Sequence, residues 1–473
     1  MKTLYFIGIA GTAMGNLAIA LSQRGFSVSG SDSGIYPPMS TMLDDHGIQY
    51  YQEYAEQNLR DAHPDLVIIG NAMSRGNVEV EYVMNNRIPY TSMSAIIHDE
   101  IIGENAAIVI TGTHGKTTTT SMTAMIFENA GKKPGFVIGA KPGNFPYGCR
   151  PVPKELHESG NGICIIEGDE YDTAFWDKRS KFFHYPPTIA IINAIEYDHS
   201  DIFSSIDEIL QSFQYFLRLI PSNGLLLLNA DDLHARAMQS SAYSRVETFS
   251  TNDNGDWNAC IIDQNQGHTT FECFYNGESL GLYSIAMIGA HNVRNALASF
   301  ASAYHFGINL EAIRNGLAAF IPPKRRLEAI GTWNDCTVID DFAHHPTAIK
   351  ETIGALKKAY PEQAIHAVFE PRSNTTTRNV FQHELGQCFL GVKSIVLGPI
   401  NRPERFAEEE RLNIATFISD YSRHEIPVHA IAEDSPTWGT HALDFLSKVI
   451  SAGDIILLMS NGNIGTLRSL LTT

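Results

Sequence analysis

Apolar and polar positions alternate in blocks along the first part of the chain. Residues 4–9 form an apolar run that predicts a strand, 11–15 a tight turn, and 16–24 a helix closed by Gly25. Residues 26–30 predict a second strand ending in Ser31 and Asp32, and 66–69 a third ending in Gly70 and Asn71. Short strands alternating with helical stretches indicate a parallel sheet covered by helices, with ligands beyond the carboxyl ends of the strands. The pattern restarts near residue 106 with a strand at 107–110, a Gly- and Thr-rich loop and a long helical stretch. Further strands are expected at 162–166, 188–193 and 224–229. Residues 248–284 carry short alternating runs broken by Asn, Asp and Gly, which predicts antiparallel pairing. Helices at 290–306 and up to about 320 precede the stiff pair Pro322-Pro323. Beyond it, strands are expected at 337–340, 365–369, 394–397, 427–431 and 454–459. There is no internal repeat. The expectation is an α/β chain of three domains, 1–105, 106–321 and 322–473, the outer two Rossmann-like.

Composition narrows this further. A length of 473 residues agrees with about three domains, and 44% hydrophobic residues exclude a fibrous or largely disordered chain. Lys and Arg number 34 against 52 Asp and Glu, a net charge of −18 that repels a polyphosphate backbone, so no nucleic-acid partner is expected. Small phosphorylated ligands remain compatible, because backbone sites hold them. No apolar run approaches the roughly 20 residues that insertion across a bilayer needs. The N-terminus has the lysine and apolar stretch of a signal peptide, but Gly8, Gly11 and Gly15 fit a strand, turn and helix better. The six cysteines form no CxxC pair, which fits reduced, mostly buried thiols in a cytoplasmic protein.

The strongest chemical signal is Gly112, Thr113, His114, Gly115, Lys116, Thr117 and Thr118 straight after a strand. Glycines let backbone N–H groups close round a phosphate, and the helix that follows adds its positive end. Lys116 is placed to reach the β- and γ-phosphates of ATP, and the Thr117 hydroxyl to bind Mg²⁺. The full pattern asks for Gly at position 110, which is Ile, so the loop is a shortened variant of a P-loop and the central domain is expected to be an ATPase-type unit. Two strands end in acidic segments, Glu167-Gly-Asp-Glu-Tyr-Asp172 and Glu196-Tyr-Asp-His-Ser-Asp201. Clustered carboxylates repel one another unless a cation neutralises them, so Glu167 is expected to hold Mg²⁺ with Thr117, and His199, beside Asp198 and Asp201, to complete a second Mg²⁺ site. A solvated acidic loop is the alternative. Near the N-terminus, GxGxxG from Gly8 needs glycines at 10 and 13, and both are alanine, which weakens a nicotinamide reading. A phosphate on the turn and helix start at Gly8, Gly11, Thr12 and Met14, with Asp32 near a ribose or base, remains open.

These segments, followed in order by Gly289-Ala-His-Asn-Val-Arg-Asn-Ala296, Lys324-Arg-Arg-Leu-Glu328 and Asp340-Asp-Phe-Ala-His-His-Pro346, resemble the Mur ligases over essentially the whole chain. Those are ATP-dependent, amide-forming enzymes of peptidoglycan synthesis whose domains bind, in order, a UDP-sugar, ATP and the incoming amino acid or peptide. The resemblance implies that Asn292 and Asn295 face the adenine, with a helix cap at Asn292 as the alternative. It places Arg326 and Asp341 against the nucleotide from the third domain, with a buried Arg–Asp pair as the alternative. It implies UDP-N-acetylmuramate binding at Gly8, Gly11, Thr12, Met14 and Asp32, and catalysis by Lys116, Glu167, His199, Arg326 and Asp341. The proton acceptor is left open between substrate phosphate and His344. Gly168 departs from the family's usual Ala, and residues 200–217 contain no Lys to carbamylate.

Two stretches, 167–181 and 369–375, are similar to the branch that joins L-alanyl-γ-D-glutamyl-meso-diaminopimelate to UDP-N-acetylmuramate in murein recycling. The branch that adds L-alanine is the alternative. Arg372, Ser373 and Asn374 follow a strand, and an Arg fork matches a carboxylate bidentately, so this loop is expected to bind the murein tripeptide. A P-loop switch or motor would account for 112–118 but not for the other segments.

Overall fold

The computed structural model describes residues 2–265, 267–431, 438–462, 464 and 466–472; Met1 and Thr473, the ends of the outer expected domains, lie outside the described residues. The first sheet comprises β1 (Thr3–Ile7), β2 (Ser27–Ser31), β3 (Gln49–Tyr51), β4 (Leu66–Ile69) and β5 (Tyr90–Ser92), in the order β3-β2-β1-β4-β5 and parallel throughout. The order reverses beside β1, which opens a ligand crevice beyond its carboxyl end. The helix after β1 runs Thr12–Gln23, so it starts earlier than the expected turn at 11–15 allows. Gly15 lies inside it because a Cβ there would stand 2.2 Å from Met39 Sδ; the residue serves close packing rather than a turn.

The central sheet has ten strands. In chain order these are β6 (Ala106–Thr111), β7 (Gly135–Val137), β8 (Cys149–Arg150) and β9 (Ile163–Glu167), then, after a separate hairpin β10 (Asp172–Ala174) and β11 (Asp177–Ser180), β12 (Ile189–Ile192), β13 (Leu225–Asn229), β14 (Arg245–Ser250), β15 (Trp257–Asn265), β16 (His268–Tyr275) and β17 (Glu278–Ile285). Their order is β17-β16-β15-β14-β13-β12-β6-β9-β7-β8. The strand that feeds the phosphate loop, β6, is therefore hydrogen-bonded in parallel to both β9 and β12. That adjacency brings the two acidic segments to either side of one loop. Antiparallel pairing holds among β15, β16 and β17, as it does between β7 and β8 at the other edge of the sheet; β14 is parallel to β13 and β15, which corrects the expectation for residues 248–256. The chain between β13 and β14 crosses through helix Leu233–Ala237, and a crossover returns a strand in the parallel sense.

The third sheet comprises β18 (Glu328–Trp333), β19 (Cys336–Asp341), β20 (Ile365–Phe369), β21 (Ser394–Leu397), β22 (Val428–Ala430) and β23 (Ile455–Met459), in the order β18-β19-β23-β20-β21-β22. Only the edge strand β18 is antiparallel. Apolar clusters cover both faces of this sheet. A single cluster instead runs from the first sheet to the central one, through Ile96, Ile97, Ile101 and Ile102 packed with Cys164 and Ile166. The first two domains are thus joined by a shared core, and the third takes Ile288 of the central domain into one of its own apolar clusters. Five cysteines are buried and Cys260 is exposed, all as free thiols.

Candidate active site

The phosphate loop is built by conformation and by close approach. Gly112 and Gly115 have φ of +115° and +81°. A Cβ on Gly112 would lie 2.7 Å from the Ala194 carbonyl oxygen, and one on Gly115 2.5 Å from Asn295 Oδ1. Helix Lys116–Asn129 follows with no side-chain cap, which leaves its first N–H groups available to an anion. Thr118 is buried in its first turn. Lys116 Nζ donates to the Gly112 carbonyl at 2.7 Å and to Glu170 Oε2 at 2.7 Å. The Thr117 hydroxyl donates to Glu167 Oε1 at 2.9 Å, and the Gly139 N–H to Glu167 Oε2 at 2.7 Å. At Gly168 a Cβ would meet Thr111 Cγ2 at 2.8 Å, so the family's alanine would require a shift in this chain.

The electrostatics ask for a cation. Burial, and then the charge of Asp169, push the Glu167 carboxyl above its ordinary range. Burial opposes the charge on Lys116, yet Glu170 and Asp169 outweigh it and raise the ammonium. Glu170 Oε1 is buried without a hydrogen-bond partner. Two glycines that leave room for phosphate, a hydroxyl beside a carboxylate and an unpartnered carboxylate oxygen fit ATP with Mg²⁺. His199, with φ of +55°, packs its ring on Tyr171 at 4.1 Å between centroids.

Asn292 and Asn295 sit in the first turns of helix Ala290–His305. Asn292 does not cap it: Gly289 holds that place, and Asn292 Nδ2 reaches back to the Ile288 carbonyl at 2.8 Å. Asn295 Nδ2 donates to Asn292 Oδ1 at 3.3 Å, which aligns both amides beside the phosphate loop.

At the first crevice, Gly8 has φ of +89°. Asp32 Oδ2 accepts from the Ala10 N–H at 2.9 Å and Oδ1 from the Tyr54 hydroxyl at 3.0 Å, which fixes the turn after β1. Gly11 and Thr12 are exposed at the uncapped helix start, while Met14 is buried.

The third domain presents the ends of its neighbouring strands β19, β23 and β20. Asp341 accepts from the Leu327 N–H at 2.7 Å and the Ala343 N–H at 2.8 Å. Arg326 lies over the Phe342 ring at 5.0 Å with its Nε buried and unpartnered. The two therefore form no hydrogen-bonded pair, contrary to the alternative weighed above. His344 Nδ1 lies 3.0 Å from the Phe342 carbonyl, which can only accept, so Nδ1 carries the proton and Nε2 is left as an acceptor. Burial lowers the His344 pKa and keeps the ring neutral. A cleft of about 170 Å³ unites His199, His344, Arg372, Ser373 and Asn374 with Tyr171, Asp198, Asp201, Thr375 and Asn461. Gly462 lacks the Cβ that would stand 2.0 Å from Arg372 Cδ.

Sequence reasoning missed Glu170 as the partner of Lys116, although it lies in the acidic segment already singled out. It missed Glu196, which meets His114 and His345; these three offer ligand atoms within 4.8 Å of one another. Asp198, beside His199 in the second acidic segment, accepts from the Thr375 hydroxyl of the third domain at 2.7 Å, a partner the sequence does not reveal. No local pattern signals contacts made between distant loops.

Fold and site together define a three-domain P-loop enzyme with its candidate site where the domains meet. Family models match along the chain: the Mur ligase family catalytic domain over residues 3–102, the Mur ligase middle domain over 110–303, and the Mur ligase glutamate ligase domain over 325–462. The chain is 39% identical to the UDP-N-acetylmuramate--L-alanyl-gamma-D-glutamyl-meso-2,6-diaminoheptandioate ligase of Haemophilus influenzae, covering 98% of this chain and 97% of that one. It is 32% identical to the UDP-N-acetylmuramate--L-alanine ligase of Clostridium acetobutylicum, covering 98% and 96%. A murein peptide ligase of Psychrobacter arcticus, solved as a crystal structure, matches with a TM-score of 0.70 and 32% identity, over 99% of this chain and 97% of that one. This chain belongs to the Mur ligase family, and it is a ligase. Among the described residues, no helix is long and apolar enough to cross a membrane.

Proposed function

We propose that the protein joins L-alanyl-γ-D-glutamyl-meso-diaminopimelate to UDP-N-acetylmuramate at the expense of ATP, in murein recycling in the cytoplasm. The observation that carries this reading is the cleft holding Arg372, Ser373 and Asn374 against His199 and His344. The relatives named for the tripeptide reaction stand closer in identity than those named for L-alanine addition, which supports the same choice. Residues 1–105 bind the UDP-sugar through Gly8, Gly11, Thr12, Met14 and Asp32; residues 106–321 bind ATP; residues 322–473 bind the peptide.

A carboxylate oxygen is a poor leaving group, so the muramate carboxylate is first phosphorylated to an acyl phosphate, which the peptide amine attacks with loss of phosphate. Thr117 and Glu167 would hold one Mg²⁺ and His199 a second, and the two ions would supply neutralisation of phosphate charge. Lys116 supplies fixed positive charge where charge develops on the transferring group. Asn292 and Asn295 hold the adenine, and Arg326 and Asp341 close on the nucleotide. Arg372 orients the peptide through a carboxylate. His344 Nε2 takes the proton from the attacking amine, as its neutral tautomer permits.

The test is ligation with UDP-N-acetylmuramate and ATP, offering tripeptide and L-alanine separately. Efficient tripeptide ligation with little L-alanine ligation is expected. The reverse preference would favour the L-alanine reaction.

A further inference from the structure

The phosphate loop and the third domain are bridged by one carboxylate. Glu196 lies in the loop after β12, four residues beyond the strand's end at Ile192. Its backbone is locked to the phosphate loop from both sides: the Glu196 N–H donates to the Thr113 hydroxyl at 2.9 Å, and that hydroxyl donates to the Glu196 carbonyl at 3.2 Å. Its side chain then faces two domains at once. Oε2 accepts from His114 Nε2 of the phosphate loop at 2.8 Å. Oε1 accepts from the Thr347 hydroxyl of the third domain at 2.8 Å. His345, also of the third domain, has Nδ1 3.1 Å from Oε2 and Nε2 3.2 Å from the Tyr197 carbonyl. The His114 and His345 rings lie 4.7 Å apart across the boundary.

We infer that Glu196 is a positioning residue that couples nucleotide in the phosphate loop to docking of the third domain. A nucleotide phosphate orders Thr113 and His114, and both hold Glu196. An ordered Glu196 presents a fixed acceptor to Thr347 at the start of helix Pro346–Ala359. That helix follows His344 directly, so docking here also delivers His344 to the cleft. Two further contacts along this helix, the ion pair of Arg294 with Glu351 and the hydrogen bond from Gln264 Nε2 to the Ala355 carbonyl at 3.3 Å, do not touch the phosphate loop and carry no such coupling.

The inference rests on the ATP-dependent ligase reading, and the experiment separates the two. Thr347→Val removes the hydroxyl while keeping the shape, and leaves the His345 cap of the helix in place. Thr347→Ser restores the donor. Each is compared with wild type, Glu196→Ala and the double variant, by ligation kinetics and by small-angle scattering with a non-hydrolysable ATP analogue. Wild type and Thr347→Ser should compact on adding the analogue. Thr347→Val and Glu196→Ala should remain expanded, with kcat roughly tenfold lower for loss of a hydrogen bond to a charged group, and KM for the UDP-sugar little changed. The double variant should be no worse than Glu196→Ala, since both act through the same bond. Equal compaction of all five proteins, an unaffected Thr347→Val kcat, or losses that multiply in the double variant would overturn the coupling and leave the ligase reading standing. Failure of the wild type to bind the analogue would overturn both.

Discussion

The ammonium of Lys116 is held 2.7 Å from Glu170 Oε2, with both side chains largely buried. Phosphate must therefore compete with a carboxylate for this lysine. Lys116→Ala should lower kcat by ~10²–10³-fold or more, since it removes charge aimed at the transferring group, while far-UV circular dichroism stays unchanged. Near-normal ligation by the folded variant would refute the role.

The same pair makes a thermal prediction. In Glu170→Gln the buried lysine loses its hydrogen-bonded counter-charge and keeps the more distant Asp169 and Glu167, so the cost should be at most the ~3–5 kcal/mol of breaking a buried pair from one side. Nucleotide phosphate restores a counter-charge. The rise in Tm on adding ATP and Mg²⁺ should be larger for Glu170→Gln than for wild type, measured by differential scanning fluorimetry. An equal or smaller rise would mean that phosphate does not reach Lys116.

Glu167→Ala and His199→Ala should each raise the Mg²⁺ concentration needed for half-maximal ligation by about tenfold or more, on the scale seen when groups supporting a metal are removed. The Thr117 hydroxyl already points at Glu167 Oε1, at 2.9 Å. Unchanged Mg²⁺ dependence in both variants would remove these residues from the metal set.

Much of this site was legible in the sequence because each motif sits on a strand end, and strand ends can be read locally. Residues 112–118, Glu167 and His199 were placed from apolar runs and the polar residues that stop them. What brings them together is the order β12-β6-β9, which local periodicity does not encode. The helix start at Thr12 is not legible, because a glycine at position 15 reads as a turn whereas in the fold it makes room for Met39. The parallel strand β14 was misjudged because alternation alone does not give direction. Glu170 and Glu196 were visible as acidic residues, but their partners Lys116 and Thr347 lie 54 and 151 residues away.

A stability prediction concerns a cluster away from the chemistry. Glu247 on β14 accepts from Trp257 Nε1 at 2.7 Å, His305 Nε2 at 2.7 Å and the Tyr275 hydroxyl at 3.0 Å, tying the end of helix Ala290–His305 to the sheet. Burial pushes its carboxyl up, but the bonds from His305 and Trp257 prevail and hold it down at about 2. A depressed carboxylate stabilises the fold above its unfolded value of about 4.3 and loses that contribution as pH falls towards the folded value. Glu247→Gln should cost ~1–3 kcal/mol at pH 7. In denaturant unfolding, the gap to wild type should narrow between about pH 4.3 and the folded value. A gap independent of pH would show that the charge contributes nothing.

The proposed choice of peptide turns on Arg372. Its Nη1 lies 3.3 Å from Glu370 Oε1, while Glu370 is itself anchored, accepting at Oε2 from the Ser460 hydroxyl at 2.5 Å and the Ile464 N–H at 3.2 Å. A buried carboxylate thus steadies one edge of the guanidinium, and the side chain remains 38% exposed at the cleft. The fork is then free to bind a peptide carboxylate through its other nitrogens. Binding energy from carboxylates remote from the amine orients that amine at the acyl phosphate, so its loss falls on turnover as well as on affinity. Arg372→Lys keeps the charge but not the planar fork. It should lower kcat/KM for the tripeptide by ~10–100-fold, the cost of a charge-assisted hydrogen bond. ATP affinity, governed from residues 112–118 and 292–295, should change little. Ligation of tripeptide and L-alanine by wild type and Arg372→Lys, with ATP binding measured in parallel, decides the matter. Tripeptide ligation indifferent to the change would remove Arg372 from the peptide site, and a parallel loss of ATP affinity would place its effect in the nucleotide site instead.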